Sequence, residues 1–215
     1  MYKVKICGIC EAKHLRAAVE SGASYVGFVF FEKSRRNISI QMARSLVTGV
    51  PPEVVSVALM VDPSNEFICR VLENVPIDML QLHGHETTNR LLEIKNLTNL
   101  PIMKAIGVKS RDDLAIIEEY AIVADQLLLD AKPPKGAKVP GGLGNKFDWR
   151  ILADFKCEIP WMLAGGLTSE NIKTAIEQTT AFQFDVSSGV EDKFGTKSEK
   201  KIFEFLNTLK GDFDE

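Results

Sequence analysis

The sequence predicts a closed (β/α)8 barrel in a single domain. Eight short apolar runs alternate with segments of helical spacing along the whole chain. The runs are rich in Val, Ile, Leu and Phe and carry little polar alternation, as strands buried on both faces do. Divided among eight units, the 215 residues leave about 27 per unit, near the least a βαβ repeat occupies. Eight parallel units are the number that closes a barrel of this kind. The alternative, an open doubly wound sheet, uses fewer strands and carries its phosphate glycines in the first βα turn, whereas here the Gly-Gly pairs fall late.

The run at 3–7 is followed by Ala12, Leu15, Ala18 and Val19 on one helical face, with Gly22 at the C-terminal cap. The run at 25–30 precedes a helix opening at Ser39 and carrying Ile40, Ala43, Leu46 and Val47. The third run, 54–61, leads to a helix capped by Ser64 with Phe67, Ile68, Val71 and Leu72 inward. Runs at 79–82 and 102–106 are followed by helices expected over 86–95 and 110–120. After the sixth run, 126–129, comes the one long irregular stretch, 132–146, with three Pro and four Gly, then a helix over 147–154. A loop of that length in a compact domain is more often functional than idle. The seventh run, 161–164, is followed by a helix opening at Thr168, and the eighth, 182–186, by one from Lys197 with Ile202, Phe205 and Leu206. No linker divides the chain, so residues 1–210 are expected to form the barrel and 211–215 a short acidic tail.

Composition narrows the function. Twenty-six Lys and Arg against 29 Asp and Glu leave a net charge of −3, which argues against a nucleic-acid surface but leaves room for a local phosphate site. No run approaches the roughly 18 apolar residues of a membrane span, and the N-terminus shows no signal-peptide pattern. Four cysteines without a secretory signal read as reduced thiols of a cytoplasmic protein.

In such a barrel the reacting groups sit at the C-terminal strand ends and in the loops that follow. That rule selects Cys7, Arg35, Arg36, Asp62, Gln81, His83, Lys104, Asp130, the 164–166 turn and the 185–189 turn. Cys7 begins Cys7-Gly8-Ile9-Cys10. It reads as a buried apolar thiol, as half of a redox or zinc pair, or as a lone base or nucleophile, and its place at the barrel mouth favours the last. The zinc reading lacks partners, because Cys69 and Cys157 are far from the pair and from each other. His83-Gly84-His85 could offer two metal ligands, but His14 on the first helix is the only other imidazole, so a substrate hydrogen bond from His83 is the better reading. Asp130 follows an apolar strand and should be partly desolvated, which raises its pKa and suits general-acid work; the alternative is an N-cap carboxylate. Gly165-Gly166 and Ser187-Ser188-Gly189 fall in the last two βα loops, where barrels bind phosphate on backbone N–H groups. Arg36 could fork onto a substrate carboxylate or be a solvated loop charge.

These residues, taken with their neighbours, resemble the phosphoribosylanthranilate isomerase family. The resemblance rests on Val4-Lys5-Ile6-Cys7-Gly8, Gly27-Phe28-Val29-Phe30, Ser34-Arg35-Arg36-Asn37-Ile38-Ser39, Gln81-Leu82-His83-Gly84, Leu128-Leu129-Asp130, Phe147-Asp148-Trp149, Leu163-Ala164-Gly165-Gly166-Leu167 and Asp185-Val186-Ser187-Ser188-Gly189-Val190-Glu191. It implies a cofactor-independent Amadori rearrangement of N-(5-phosphoribosyl)anthranilate in tryptophan biosynthesis, with no metal. By motif, Asp130 would be the general acid and Cys7 the general base, the latter needing a depressed pKa. Arg36, Gln81 and His83 would bind substrate, and Gly165, Gly166, Asp185, Ser187, Ser188 and Gly189 the phosphate. The expected partner is a small phosphorylated substrate, with neither nucleic acid nor membrane, and the chain would be a monomer or homodimer. Departures occur at Arg35, where the family favours Pro, at Leu143 within Gly141-Gly142-Leu143-Gly144, in the third strand and at the start of the last helix. Two other functions fit the same fold: a non-catalytic phosphate-binding barrel, and another sugar-phosphate barrel enzyme. Of the latter, an indole-glycerol-phosphate synthase needs a Lys–Glu pair at strand ends, and Lys104 has no evident glutamate. A pentose-phosphate epimerase needs metal-binding His and Asp residues on several strands.

Overall fold

The structure, a computed structural model, describes residues 2–137, 139–193 and 195–210. Its eight parallel strands are β1 (Lys3–Cys7), β2 (Tyr25–Phe30), β3 (Val55–Met60), β4 (Met79–Leu82), β5 (Ile102–Val108), β6 (Gln126–Ala131), β7 (Trp161–Leu163) and β8 (Gln183–Val186). They hydrogen-bond in chain order and close into a barrel, β8 returning to β1 with Lys5 opposite Asp185. The connecting helices are α1 (Ala12–Glu20), α2 (Ile40–Val47), α3 (Asn65–Leu72), α4 (Thr88–Thr98), α5 (Ile117–Ala121), α6 (Ile172–Gln178) and α7 (Glu199–Thr208). None of these is long and apolar enough to cross a membrane. Ser39 and Ser64 cap α2 and α3 as expected, each side chain accepting the N–H three residues on. Thr87 and Ser198 do the same for α4 and α7.

The two-residue period of each strand separates the core into two layers. Outward-facing Val4, Ile6, Val26, Phe28, Leu80, Leu127 and Leu129 pack beneath the helices in one large buried cluster. Inward-facing Tyr25, Val57, Met103, Leu128 and Met162 fill the barrel interior. At its N-terminal end Gln183 accepts from Gln126 at 2.9 Å and from the Tyr25 hydroxyl at 3.4 Å, which closes the floor with side chains. The opposite end carries Cys7, Val29 and Leu59 and opens into a pocket.

Four details differ from the sequence reading. The helix expected over 147–154 is a single 3-10 turn, Trp149–Leu152, and the one over 110–120 splits into a 3-10 turn, Arg111–Leu114, and the five-residue α5. Segments so short gain little from helix propagation, and a side-chain cap such as Asp113 on the N–H groups of Lys109 and Ser110 favours the tighter turn. Strand β6 runs two residues further than expected, taking Asp130 into the sheet opposite Gly107. Beyond β8 an unexpected antiparallel ribbon, β9 (Glu191–Lys193) and β10 (Thr196–Lys197), precedes α7. The proposed tail at 211–215 lies outside the described residues.

Candidate active site

The pocket at the C-terminal end of the barrel gathers Cys7, Arg36, Gln81, His83, Asp130, Gly165, Gly166, Asp185, Ser187 and Ser188. All come from the sequence-derived set. Of that set Gly189 alone stands back from the lining, against Leu167 and Thr168.

Asp130 is 8% exposed. Burial, followed by the negative charge of Asp185, pushes its carboxyl up to about 7, against the pull of the Ala131 and Gly142 N–H groups and of Lys5. It is therefore substantially protonated near neutral pH. Beside it stands His83, driven down to about 3 by burial and by the charges of Lys104 and Lys5, so its ring is neutral. The Nε2–Oδ2 separation of 3.7 Å is too long for a hydrogen bond, and a neutral ring makes no ion pair. Gln81 Nε2 stands 3.5 Å from His83 Nδ1; if it donates there, the remaining ring N–H faces the Asp130 carboxyl. The Gln81 Oε1 atom is buried and has no protein partner, which leaves an acceptor for a substrate hydroxyl.

Cys7 differs from the expectation. Burial pushes its thiol up, Lys5 opposes that, and Asp185 adds to it. The net direction favours the thiol over the thiolate. Asp185, expected among the phosphate ligands, faces inward and accepts from Lys5 at 2.7 Å. A carboxylate there would repel a phosphate.

Arg36 is anchored from behind by a carboxylate. Its guanidinium reaches the mouth, but Nε and Nη2 already form a two-pronged bond with Glu191 at 2.7 and 3.0 Å. Glu191 also accepts from Lys197 at 2.5 Å and from the Gly195 N–H. Lys197 in turn donates to the Ser187 carbonyl and hydroxyl, each at 3.1 Å, and Ser187 Oγ donates to the Cys7 carbonyl at 2.9 Å. Two buried cations thus share one buried carboxylate, a local excess of positive charge beside the pocket that favours an anionic ligand. The sequence reading assigned Glu191 and Lys197 no role. The only signal was Glu191's place two residues after Gly189 in a quoted motif.

Gly165 and Gly166 adopt φ of +93° and +65°, a left-handed pair that side chains resist. Asn171 fixes the turn, donating to the Gly166 carbonyl and accepting the Thr168 N–H, both at 2.9 Å. The long β6–β7 loop folds over the mouth: Gly141 lies against Asp130 and His83, Gly142 against Arg36, Gly144 against Ser188, and Asn145 and Lys146 against Gly166. Gly189 admits no side chain, because a Cβ there would overlap the Leu167 carbonyl oxygen. Gly189→Ala is expected to displace the Ser187–Gly189 turn and raise KM for a phosphorylated substrate about tenfold or more, with a smaller change in kcat. Steady-state kinetics checks it.

The glutamate that the sequence reading did not find for Lys104 is Glu86, 2.6 Å away and equally buried. Both face away from the pocket. Lys104 bonds the Gly84 carbonyl, and Glu86 takes the N–H groups of Asp62 and Gly84. The pair pins the β4–α4 loop, not a substrate. Cys10 is likewise engaged, its thiol on the Gly8 and Arg36 carbonyls. His85 sits outside beside Asp62.

Comparison with known proteins places the chain among described relatives. The family model described as N-(5'phosphoribosyl)anthranilate (PRA) isomerase matches residues 4–208. An N-(5'-phosphoribosyl)anthranilate isomerase of Cereibacter sphaeroides is 50% identical over 208 residues, covering 97% of this chain and 98% of the relative. The crystal structure of the phosphoribosyl anthranilate isomerase of Thermotoga maritima superposes with a TM-score of 0.88 at 37% identity, covering 98% of this chain and all of that one. A further crystal structure of this isomerase, in complex with reduced 1-(o-carboxyphenylamino)-1-deoxyribulose 5-phosphate, gives a TM-score of 0.85 at 34% identity, with 98% of this chain and 100% of that chain covered.

Proposed function

The chain belongs to the N-(5'-phosphoribosyl)anthranilate isomerase family, and from that membership we propose how its residues divide the reaction. The enzyme converts N-(5-phosphoribosyl)anthranilate to 1-(2-carboxyphenylamino)-1-deoxyribulose 5-phosphate in tryptophan biosynthesis. The observation that carries the assignment is a carboxyl at about 7 and a buried thiol lining one pocket from two different strands, β6 and β1. Asp130 gives its proton to the furanose ring oxygen as the C1′–O bond breaks, and the nitrogen lone pair forms the iminium. Cys7, as thiolate, takes the C2′ proton, and the C2′–H electron pair neutralises the iminium to an enolamine. That enolamine tautomerises to the ketone. The iminium charge acidifies C2′–H and favours the thiolate beside it, which offsets the burial that pushes the free thiol up.

Arg36, oriented by Glu191, pairs with the anthranilate carboxylate through the edge of its guanidinium turned to the Gly142 side. Gln81 and His83 meet the ribose hydroxyls. The phosphate lies between the Gly165-Gly166 turn and the Ser187–Gly189 turn, with Lys197 behind it as counter-charge. Four free thiols fit a cytoplasmic location, and the chain acts as a monomer or homodimer.

The test is direct. Freshly generated phosphoribosylanthranilate is fluorescent, and the purified protein is expected to abolish that fluorescence enzymatically. Ligand binding without loss of fluorescence would instead indicate a non-catalytic barrel.

A further inference from the structure

Lys5 lies two residues before Cys7 on β1, faces the barrel interior and is 0% exposed. The layer around it holds Val57, Met103, Leu128 and Met162. An ammonium in such a place is costly unless it is paired. Its partner is Asp185, the residue opposite it in the β1–β8 ladder, at 2.7 Å. Stability does not explain the pair, because an apolar pair of similar volume commonly serves as well or better.

A second observation shows where the lysine is aimed. Gly27 stands opposite Cys7 in the β1–β2 register. Its φ is not positive, so its backbone does not require glycine. What favours glycine is space: a Cβ there would stand 3.0 Å from Cys7 Sγ, 3.2 Å from Cys7 Cα and 3.2 Å from Lys5 Cε, so these neighbours would have to give way. Strand β2 gives up a side chain where the lysine stem and the thiol come together. The charged groups facing Cys7 are Lys5 from its own strand, Asp185 from β8 and Lys197 from β10. Lys197 is already bound by Glu191 and Ser187. Lys5 is therefore the cation placed to respond to charge on the sulfur.

We propose that Lys5, anchored by Asp185, is a positioning residue for Cys7, holding its charge beside the sulfur so that the thiolate can form inside an apolar barrel. The inference rests on Cys7 being the base. Lys5 does not touch substrate; it acts through the sulfur, where a positive charge in a low dielectric has its largest effect. Asp185 keeps the lysine protonated and fixes its height in the barrel.

The test compares Lys5→Met with the double variant Lys5→Met/Asp185→Asn, which removes both charges at nearly constant volume and keeps the experiment interpretable if the single variant does not fold. Two quantities are read: steady-state kcat and KM, and the ultraviolet thiolate signal of Cys7 against pH, obtained by subtracting the corresponding Cys7→Ala protein. The expected result is a fall in kcat of about tenfold to a hundredfold with KM within about threefold, and a Cys7 titration moved to higher pH, each pH unit corresponding to tenfold less thiolate. A double variant with wild-type kcat, a loss confined to KM, or a Cys7 titration that does not move would each overturn the proposal. Failure of the underlying assignment is distinguishable: Cys7→Ala would keep its turnover, while the thiol titration would still report on Lys5.

Discussion

Replacing Asp130 with asparagine is expected to lower kcat by about 10²–10⁴-fold, the usual worth of a positioned general acid, while leaving KM within a few-fold. The side chain keeps its shape and still accepts the Ala131 N–H, but it has no proton to give to the ring oxygen. The same substitution should stabilise the protein at alkaline pH. Asp130 binds its proton more tightly folded, at about 7, than unfolded, near 3.8. Below about pH 4 the carboxyl is protonated in both states and the difference vanishes. As pH rises from about 4 to about 7 the unfolded chain gains by losing that proton, so the wild type loses stability over that window and stays lower above it. Roughly 4 kcal/mol is at stake. Urea melts at pH 5 and pH 8 should show wild type and Asp130→Asn further apart at pH 8, the variant being the more stable. An equal gap at both pH values would mean that Asp130 is not held protonated.

This trade between activity and stability is built from few parts. Asp185 raises Asp130 by its negative charge and anchors the lysine that opposes burial at Cys7. One buried ion pair thus bears on both proposed proton-transfer groups, Asp185 raising both and Lys5 opposing it at both. Glu191 plays a comparable part on the substrate side, where it orients Arg36 and, through Lys197, steadies Ser187. In this proposal the acid, the base and the anion site each depend on a charged neighbour that contributes no chemistry of its own.

How much of this could be read from the chain follows from the range of each interaction. Ser39 and Ser64 were legible because a cap acts on an N–H three residues away. That Cys7 and Asp130 would line the mouth was legible because both stand at C-terminal strand ends, where this fold opens its pocket. The 3-10 turns at Arg111–Leu114 and Trp149–Leu152 were misread as α-helix because periods of 3.0 and 3.6 cannot be told apart over one turn. Glu86 escaped notice because it precedes Lys104 by 18 residues and meets it only after β4 and β5 pair. Arg36 and Glu191 are separated by 155 positions, and no local pattern announces that contact. The Asp185–Lys5 pair gives no local signal either, because the motif neighbours of Asp185 are loop residues while its own side chain follows strand parity inward, opposite Lys5.

Cys7→Ala is expected to lose activity on the same scale as Asp130→Asn, about 10²–10⁴-fold in kcat, while still binding a reduced product analogue. Removing one buried sulfur costs about 1 kcal/mol of stability, too little to unfold the barrel, and it leaves the Ser187 bond to the Cys7 carbonyl intact because that bond is to the backbone. Cys7→Ser should be nearly as inactive, since a hydroxyl beside Lys5 remains protonated at every pH the protein tolerates. The two proton transfers occur in successive steps. In the double variant Cys7→Ala/Asp130→Asn the slower step alone sets the rate, so its kcat should lie near that of the worse single variant and not at the product of the two losses. Multiplicative losses would mean that Cys7 and Asp130 act in one concerted transition state, and ring opening and C2′ deprotonation would then have to be written as a single step.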